Sequence, residues 1–322
     1  MKLYLGPTSS LELIRYLRIV NGAEGLEAKP VRKRLLNDAV NTVKSLDELD
    51  AAAQFWLTHL SSPIHALVGD SAQNTRTKRL VTHVLAGQTP NGAFLDLGHN
   101  VRICTPQFAY LQLGMQLDFL DLLRIGLELC GGYSLDPEQP GSCAFGLPPA
   151  MEAGRMESFL ERMAGQRGAV AARKTLRYLL PRSASPMESA TYLLLCLPRR
   201  LGGYALPQPL LNPKVMISNP DGIKERYPDL FWKDANIDVE YNSDEDHSGN
   251  WARYRDSKRE VELTVANLRV LPLTRNQLMD AGEFDAFAQG LRRMLGIRTR
   301  PHDPEWEFRR DELRRRLLGA PQ

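Results

Sequence analysis

Tyr227-Pro228-Asp229-Leu230-Phe231-Trp232, then Lys233-Asp234-Ala235-Asn236, then Ile237-Asp238-Val239-Glu240-Tyr241-Asn242 is the stretch of this chain that decides its fold. Two apolar runs flank four turn-forming residues, the pattern of two antiparallel strands joined by a tight connection. Side chains alternate along a strand, so Asp238, Glu240 and Asn242 share one face of the second strand while Ile237, Val239 and Tyr241 share the other. Asp229, at the head of the first strand, then meets Glu240 across the ladder. Carboxylates gathered in this way suit a hard divalent cation, which polarises a phosphate and lowers the pKa of an attacking water. A third acid, Glu188, reaches the same point from a helix that precedes the pair.

Glu188 also has a local role. Ser185 sits as an N-cap, Pro186 at the first helical position and Glu188 at the third, which is a capping box; capping and metal binding do not exclude one another. Asp238 reads equally well as a solvated strand residue. Downstream, Trp251–Ala266 patterns as a charged helix and Leu268–Leu273 as a third strand. Arg255 and Arg259 lie one helical turn apart, spaced either to clamp a phosphate or to pair with Asp256, Glu260 or Glu262. His247 follows the acidic run Asp244-Glu245-Asp246 and reads as a general base or as a solvated loop residue.

A longer ordered series contains these residues: Ser183-Ala184-Ser185-Pro186-Met187-Glu188, Leu201-Gly202-Gly203-Tyr204 with Pro207, Tyr227-Pro228-Asp229-Leu230-Phe231-Trp232, Val239-Glu240-Tyr241, Arg255-Asp256-Ser257-Lys258-Arg259, and Leu268-Arg269-Val270-Leu271 with Thr274. The series resembles the very-short-patch-repair-like endonuclease domains of the PD-(D/E)xK class. That resemblance covers roughly the last 140 residues. It implies a restriction-endonuclease-like fold and phosphodiester hydrolysis with Mg²⁺ or Mn²⁺, with Glu188, Asp229 and Glu240 as the metal-binding acids. It also implies a setting in phage defence or a toxin–antitoxin pair. Two departures matter. Asn242-Ser243 stands where the family has Asp-Gly, and an Asn carbonyl coordinates without charge, so metal affinity falls. No lysine occupies Asn242, where the generic motif places one to orient water; Lys258, on the next predicted helix, supplies that charge from another direction.

The first part of the chain patterns differently. Ser9-Ser10 read as a cap before Leu11, Leu13, Ile14, Leu17 and Arg18 at amphipathic spacing; Val31, Leu35, Leu36 and Val40 make a second stripe and Leu46–Leu60 a third. Ile64–Val68, Val81–Leu85, Ala93–Leu95 and Val101–Cys104 read as short strands. Thr105-Pro106 starts a helix, Phe119–Cys130 is a second one, and Gly131-Gly132 stops it. Residues 134–149 read as a loop or linker, followed by helices near 151–163 and 168–180. Val81-Thr82-His83-Val84, Val101-Arg102-Ile103-Cys104-Thr105-Pro106 and Leu122–Cys130 resemble the central region of abortive-infection antitoxins; in that view His83 and His99 are structural. The tail reads as helices Glu283–Leu295 and Glu305–Leu318.

The 322 residues suit two domains, and 43% hydrophobic with 25% charged residues is enough to bury ordinary cores. Apolar runs such as Tyr192–Leu197 are too short to span a bilayer, and no signal peptide is evident, so a cytoplasmic protein without a membrane partner is expected. Cys104, Cys130, Cys143 and Cys196 lie far apart and read as buried thiols, not zinc ligands. A net charge of +3 is a weak bias, although Lys29–Lys33–Arg34, Arg76–Lys78–Arg79, Arg292–Arg293, Arg298–Arg300 and Arg309–Arg316 cluster as phosphate binding requires.

The expected organisation is α/β (α+β): a helical region at 1–62, a mixed α/β region at 63–180, a nuclease-like domain at 183–280 and a helical tail at 281–322. The expected activity is metal-dependent endonucleolytic cleavage of nucleic acid, DNA first, with a protein partner or a second copy as a further partner. Asp229, Glu240, Asn242 and Lys258 form the catalytic set, and Arg255 and Arg259 contact phosphate. Two other expectations stay open: a catalytically inactive nuclease fold kept for DNA-binding regulation of the antitoxin kind, and a toxin or assembly component that docks through its Arg-rich C-terminal helix.

Overall fold

The computed structural model describes residues 1–26, 29–30, 36, 38–85, 89–90, 92–219, 222–242, 268–298 and 303–319. The chain divides into two compact units, Met1–Pro181 and Arg182–Gln322. Both mix helices with small sheets, in line with the expected class. No helix among the described residues is long and apolar enough to cross a membrane.

In the first unit, β1 (Leu3–Tyr4) leads into α1 (Pro7–Asn21), and β2 is Lys29–Pro30. Two short helices follow, α2 (Val43–Asp47) and α3 (Ala51–Leu57), then β3 (Ile64–Val68), β4 (Leu80–Val84), β5 (Phe94–Asp96) and β6 (Val101–Cys104). One sheet has the order β1-β6-β5-β2, with β1 parallel to β6, while β3 and β4 form a separate parallel pair. Pairing of β1 with β6 binds the two regions expected at 1–62 and 63–180 into one unit. The helix expected from Ser9-Ser10 begins earlier, with Gly6 as N-cap and Pro7 at the first turn. The serine hydroxyls do other work: Ser9 Oγ accepts from His65 N at 3.0 Å, and Ser10 Oγ accepts from Cys104 N at 2.9 Å while donating to Leu5 O. They stitch the helix to β3 and β6. Most of the second helical stripe expected from the sequence lies outside the described residues. Residues 31–35 and 37 are among those not described; Lys29–Pro30 pairs with β5, Ala39 bridges Lys2, and Leu36 and Val40 are buried.

Helices α4 (Pro106–Leu113) and α5 (Phe119–Cys130) follow as expected, then β7 (Tyr133–Leu135), β8 (Cys143–Phe145), α6 (Ala153–Arg162) and α7 (Ala169–Leu176). The expected loop at 134–149 therefore contains most of a hairpin. Arg18 explains why it is ordered. This side chain lies on the apolar stripe of α1, is fully buried, and donates to the carbonyls of Glu128, Gly131, Tyr133 and Pro148 at 2.8–3.2 Å. One guanidinium thus caps the end of α5 and anchors the hairpin. Beside it Arg15 makes a bidentate pair with Glu128 at 2.6 and 2.8 Å.

The second unit runs α8 (Pro186–Cys196), β9 (Leu210–Leu211), β10 (Val215–Asn219), β11 (Gly222–Arg226), β12 (Leu230–Trp232), β13 (Ile237–Asn242), β14 (Arg269–Thr274), α9 (Arg275–Met279), α10 (Ala281–Met294) and α11 (Pro304–Leu318). The main sheet has the order β14-β13-β12-β9; β12 is antiparallel to both neighbours, and β13 runs parallel to β14. Among the described strands β14 lies at the edge of this sheet, where the missing N–H of Pro272 breaks no central ladder. The helix expected over Trp251–Ala266, in the connection between these parallel strands, lies outside the described residues. The β10–β11 hairpin was not foreseen.

The tail belongs to this unit. Trp306 Nε1 donates to Gly203 O, Arg292 donates to Tyr204 O, and Arg314 donates to the carbonyls of Leu278 and Met279. Gly202 has φ 91°, and a Cβ there would lie 2.3 Å from Arg309 O, so only glycine lets α11 approach this closely. Trp306, Leu313 and Arg314 are buried, so one face of the Arg-rich helix packs into the unit. Arg310 and Arg315 on it pair with Asp285 and Glu312.

The Arg18 contacts carry a stability expectation. Arg18→Met removes four donated hydrogen bonds, each worth about 1 kcal/mol and more where a carbonyl is left bare. Its melting temperature should fall by about 10 °C or more, given roughly 2–4 °C per kcal/mol for a unit of this size. Arg18→Lys, which keeps the charge and three donors but not the planar fork, should fall between the two in thermal denaturation followed by circular dichroism.

Candidate acid site of the C-terminal unit

Helix α8 is capped as its sequence indicates, with Ser185 Oγ accepting from Glu188 N at 3.1 Å and Pro186 in the first turn. The carboxylate of Glu188 departs from the expected capping box. It does not return to the N–H of Ser185; its Oε2 accepts from Ala184 N at 2.9 Å and from Asn212 Nδ2 at 2.6 Å. Glu188 is buried, and burial pushes its carboxyl above the ordinary range, with the bonds from Ala184, Asn212 and Ser185 opposing that rise in part.

Asn212 is the residue that sequence reasoning missed. It follows edge strand β9, and its φ of 43° lies in the left-handed region that Asn tolerates better than most residues. Its side chain also donates to Arg182 O at 3.0 Å, and its own N–H donates to Asp229 O at 3.1 Å. A signal was present: Asn before Pro213 is a turn-initiating pair. Two hydrogen bonds through this one residue therefore connect the carboxylate of Glu188 to the backbone of Asp229.

Strands β12 and β13 pair as the alternation predicts. The register is Leu230 with Val239, Phe231 with Asp238 and Trp232 with Ile237, and one further step sets Asp229 opposite Glu240. Asp229 Oδ2 accepts from Tyr241 N at 2.8 Å, so this carboxylate extends the strand pairing beyond its last ladder rung. The connecting residues form a tight turn that ends on Asn236 at φ 52°. Glu240 and Asn242 are half-buried, and Asn242 lies beside Thr274 of β14. Asp238 is only 1% exposed, which replaces the solvated role open to it in the sequence. Lys258, Arg255, Arg259 and His247 lie outside the described residues.

Hard oxygen donors from Asp229 and Glu240 suit Mg²⁺ or Mn²⁺, because Mg²⁺ is commonly held by one or two carboxylates with the remaining positions left to water and substrate. Among the described residues no three His, Cys, Asp or Glu side chains gather closely enough to hold an ion by themselves. Glu188 is accordingly a neighbour of the pair, reached through Asn212. Beside this site the β10–β11 hairpin leaves Asn212-Pro213 and returns to Asp229. It exposes Met216 and Ile223, with Tyr227 just beyond its end, and it carries Lys224, Arg226 and a Lys214–Glu225 ion pair.

The other sequence candidates are separate. His99 lies 3.6 Å from Asp50 on the surface, at a positive φ. Cys104, Cys130 and Cys196 are buried free thiols and Cys143 is half-buried; burial pushes Cys104 and Cys130 up to about 12, which leaves them protonated and inert. No protein-family model, curated protein or solved structure matches the chain.

A raised carboxyl pKa means that the folded state binds the proton of Glu188 more tightly than the unfolded chain does. Its contribution to stability is therefore favourable below the ordinary carboxylate range and is lost as pH rises through the folded value. Glu188→Gln keeps an oxygen for Ala184 N and Asn212 Nδ2 while removing the desolvated charge. Its melting temperature should exceed that of the wild type by a few degrees in mildly alkaline buffer, and the gap should close as the buffer is acidified toward the carboxylate range. A Glu188→Gln protein less stable than wild type at alkaline pH would show that the charge is not a burden to the fold.

Proposed function

We propose that the unit Arg182–Gln322 is a metal-dependent nuclease domain of the PD-(D/E)xK kind that hydrolyses phosphodiester bonds, with DNA as the first substrate to test. The observation that carries this reading is the juxtaposition of Asp229 with Glu240 across β12 and β13, next to the buried Glu188 carboxylate that Asn212 ties to Asp229. Support also comes from the order of elements. A capped helix bearing an acid, the Asp-Leu-Phe-Trp strand, the acidic strand and a final parallel strand follow one another in the order that the sequence resemblance implies.

In this reading Asp229 and Glu240 would hold Mg²⁺ or Mn²⁺, and Glu188, tied to the backbone of Asp229 through Asn212, would be a neighbouring acid. When bound, the ion supplies Lewis-acid stabilisation of the scissile phosphate and acidifies an attacking water. Asn242 offers a neutral oxygen on the same face as Glu240. Lys258, Arg255 and Arg259 are assigned to phosphate neutralisation from sequence alone. The exposed side chains of Met216, Ile223 and Tyr227 at the β10–β11 hairpin suit the bases of a polynucleotide, which offer stacking faces, while Lys214 there is paired with Glu225.

A second reading is favoured by one specific observation. Asp229 already accepts from Tyr241 N, Glu188 already has two donors, and no three-acid group is present among the described residues. Those acids then serve the fold, and the domain is a nuclease-like scaffold kept for DNA-binding regulation. Incubation of single- and double-stranded DNA and RNA with the protein and Mg²⁺ or Mn²⁺ separates the two. The nuclease reading expects metal-dependent cutting that falls by about a hundredfold or more in Asp229→Ala and Glu240→Ala. Binding of DNA without cutting, equal in all three proteins, is the result expected of the regulator.

A further inference from the structure

The unit Met1–Pro181 contains a cavity of about 650 Å³ bounded by β3 and β4, by α4 and by the segments around Arg76 and Arg167. That volume is within the usual range for small-molecule sites. Its composition is one-sided. Among the described residues two arginines and two histidines line it and no Asp or Glu does. Among the described residues neither Arg76 nor Arg167 has an ion-pair partner, whereas nearby Arg79 is paired with Asp47 at 2.6 Å. A rim with cations and no counter-charge is arranged for an anion.

The histidines form a pair. His65 Nδ1 lies 2.8 Å from His83 Nε2, with the rings nearly parallel at 12° and their centroids 5.1 Å apart. One nitrogen must donate and the other accept, so the pair carries one ionising proton at most, and its outer nitrogens remain for a ligand. Burial and the facing charge of Arg76 hold both rings below the usual histidine range. An anion placed among them would offset that charge.

The opposite wall has a different character. Phe108, Leu111, Gln112 and Met115 project from one side of α4 and the turn after it, at helical spacing. Gln112 is 2% exposed, and its amide nitrogen has no hydrogen-bond partner. A buried NH₂ group without an acceptor is a standing cost in a folded protein and is uncommon unless a ligand or water completes it. An apolar wall bearing a single buried amide fits a planar heterocycle that stacks on carbon and sulfur and offers an acceptor at its edge.

We propose that this cavity binds a nucleoside 5′-phosphate, with its phosphate at Arg76, Arg167 and the histidine pair and its base against Phe108, Leu111 and Met115 within reach of Gln112. The shared chemistry is a terminal phosphate joined to a planar base, whether on a free mononucleotide or at the 5′ end of a strand. The site lies wholly within the first unit and does not rest on the nuclease reading of the second.

Isothermal titration of the full chain near neutral pH tests this with the ribonucleoside 5′-monophosphates, the unphosphorylated nucleosides, inorganic phosphate, and a short single-stranded DNA with and without a 5′-phosphate. At least one 5′-phosphorylated ligand should bind at one per chain, and loss of its phosphate should weaken binding by about tenfold or more. Arg76→Gln, at an exposed position without an ion pair among the described residues, should weaken it by about the same factor, and Gln112→Leu should weaken the nucleotide while leaving inorganic phosphate unchanged. A phosphorylated strand that binds more tightly than any mononucleotide identifies the strand end as the source; equal or weaker binding identifies the free nucleotide. Failure of every 5′-phosphorylated ligand to bind overturns the proposal. So does inorganic phosphate binding as tightly as the best nucleotide, or affinity that is unchanged in both variants.

Discussion

A carboxylate taken out of water must find donors, and in the C-terminal unit that requirement falls on Glu188. Among its donors are the N–H of Ala184, just before α8, and the side chain of Asn212, just after strand β9. Because the N–H of Asn212 is committed to the carbonyl of Asp229, one buried acid fixes how the helix, the edge strand and the head of β12 meet. The first acidic strand position is thereby set before its own side chain is considered. Asp229 then reaches forward to Tyr241 N and fixes the opposite acidic strand. Hydrophobic burial of Leu230, Trp232, Ile237 and Val239 stabilises this sheet, but it does not select an acid for a buried helix position. The raised pKa of Glu188 marks the local cost of taking this carboxylate out of water.

The parts of the fold that were legible in the sequence are those where local chemistry and tertiary packing agree. The β12–β13 pair has alternation, a turn and a glycine-free connection that Asn236 completes at positive φ. Helix α5 has a sharp cap at Asp118 and a stop at Gly131, and its expected span, Phe119–Cys130, is the one observed. The illegible parts depend on distant partners. Ser9 and Ser10 resemble caps by type, but their hydroxyls are claimed by β3 and β6, so the helix starts at Pro7. The β7–β8 hairpin looks like linker because its order comes from Arg18, over a hundred residues earlier in the chain. Asn212 carried a turn signal, yet its link to Glu188 exists only once the sheet has formed. The β10–β11 hairpin exposes Met216 and Ile223, so no core face announces it.

The basic residues teach a related lesson. Clusters of Arg invite a nucleic-acid interpretation, yet Arg18, Arg292 and Arg314 are buried and donate to backbone carbonyls, while Arg15, Arg79, Arg310 and Arg315 are committed to carboxylates. A guanidinium fits this work because its planar set of donors can satisfy several carbonyls at once. Charge counted along the sequence therefore overstates what is offered to a phosphate. Arg76 and Arg167, which have no carboxylate partner among the described residues, lie at the first unit's cavity, where two histidines 18 positions apart come into contact.

The proposed nuclease activity of the second unit requires that Asp229 and Glu240 share a cation. Mn²⁺ binding measured by electron paramagnetic resonance, which counts free against bound ion directly, tests it most plainly. The expected result is one bound Mn²⁺ per chain for the wild type, lost in Asp229→Asn and in Glu240→Gln while all three proteins keep the same far-ultraviolet circular dichroism. A wild-type protein that leaves Mn²⁺ free in solution, or variants that bind it as well as the wild type, would contradict the claim and leave these acids as parts of the scaffold.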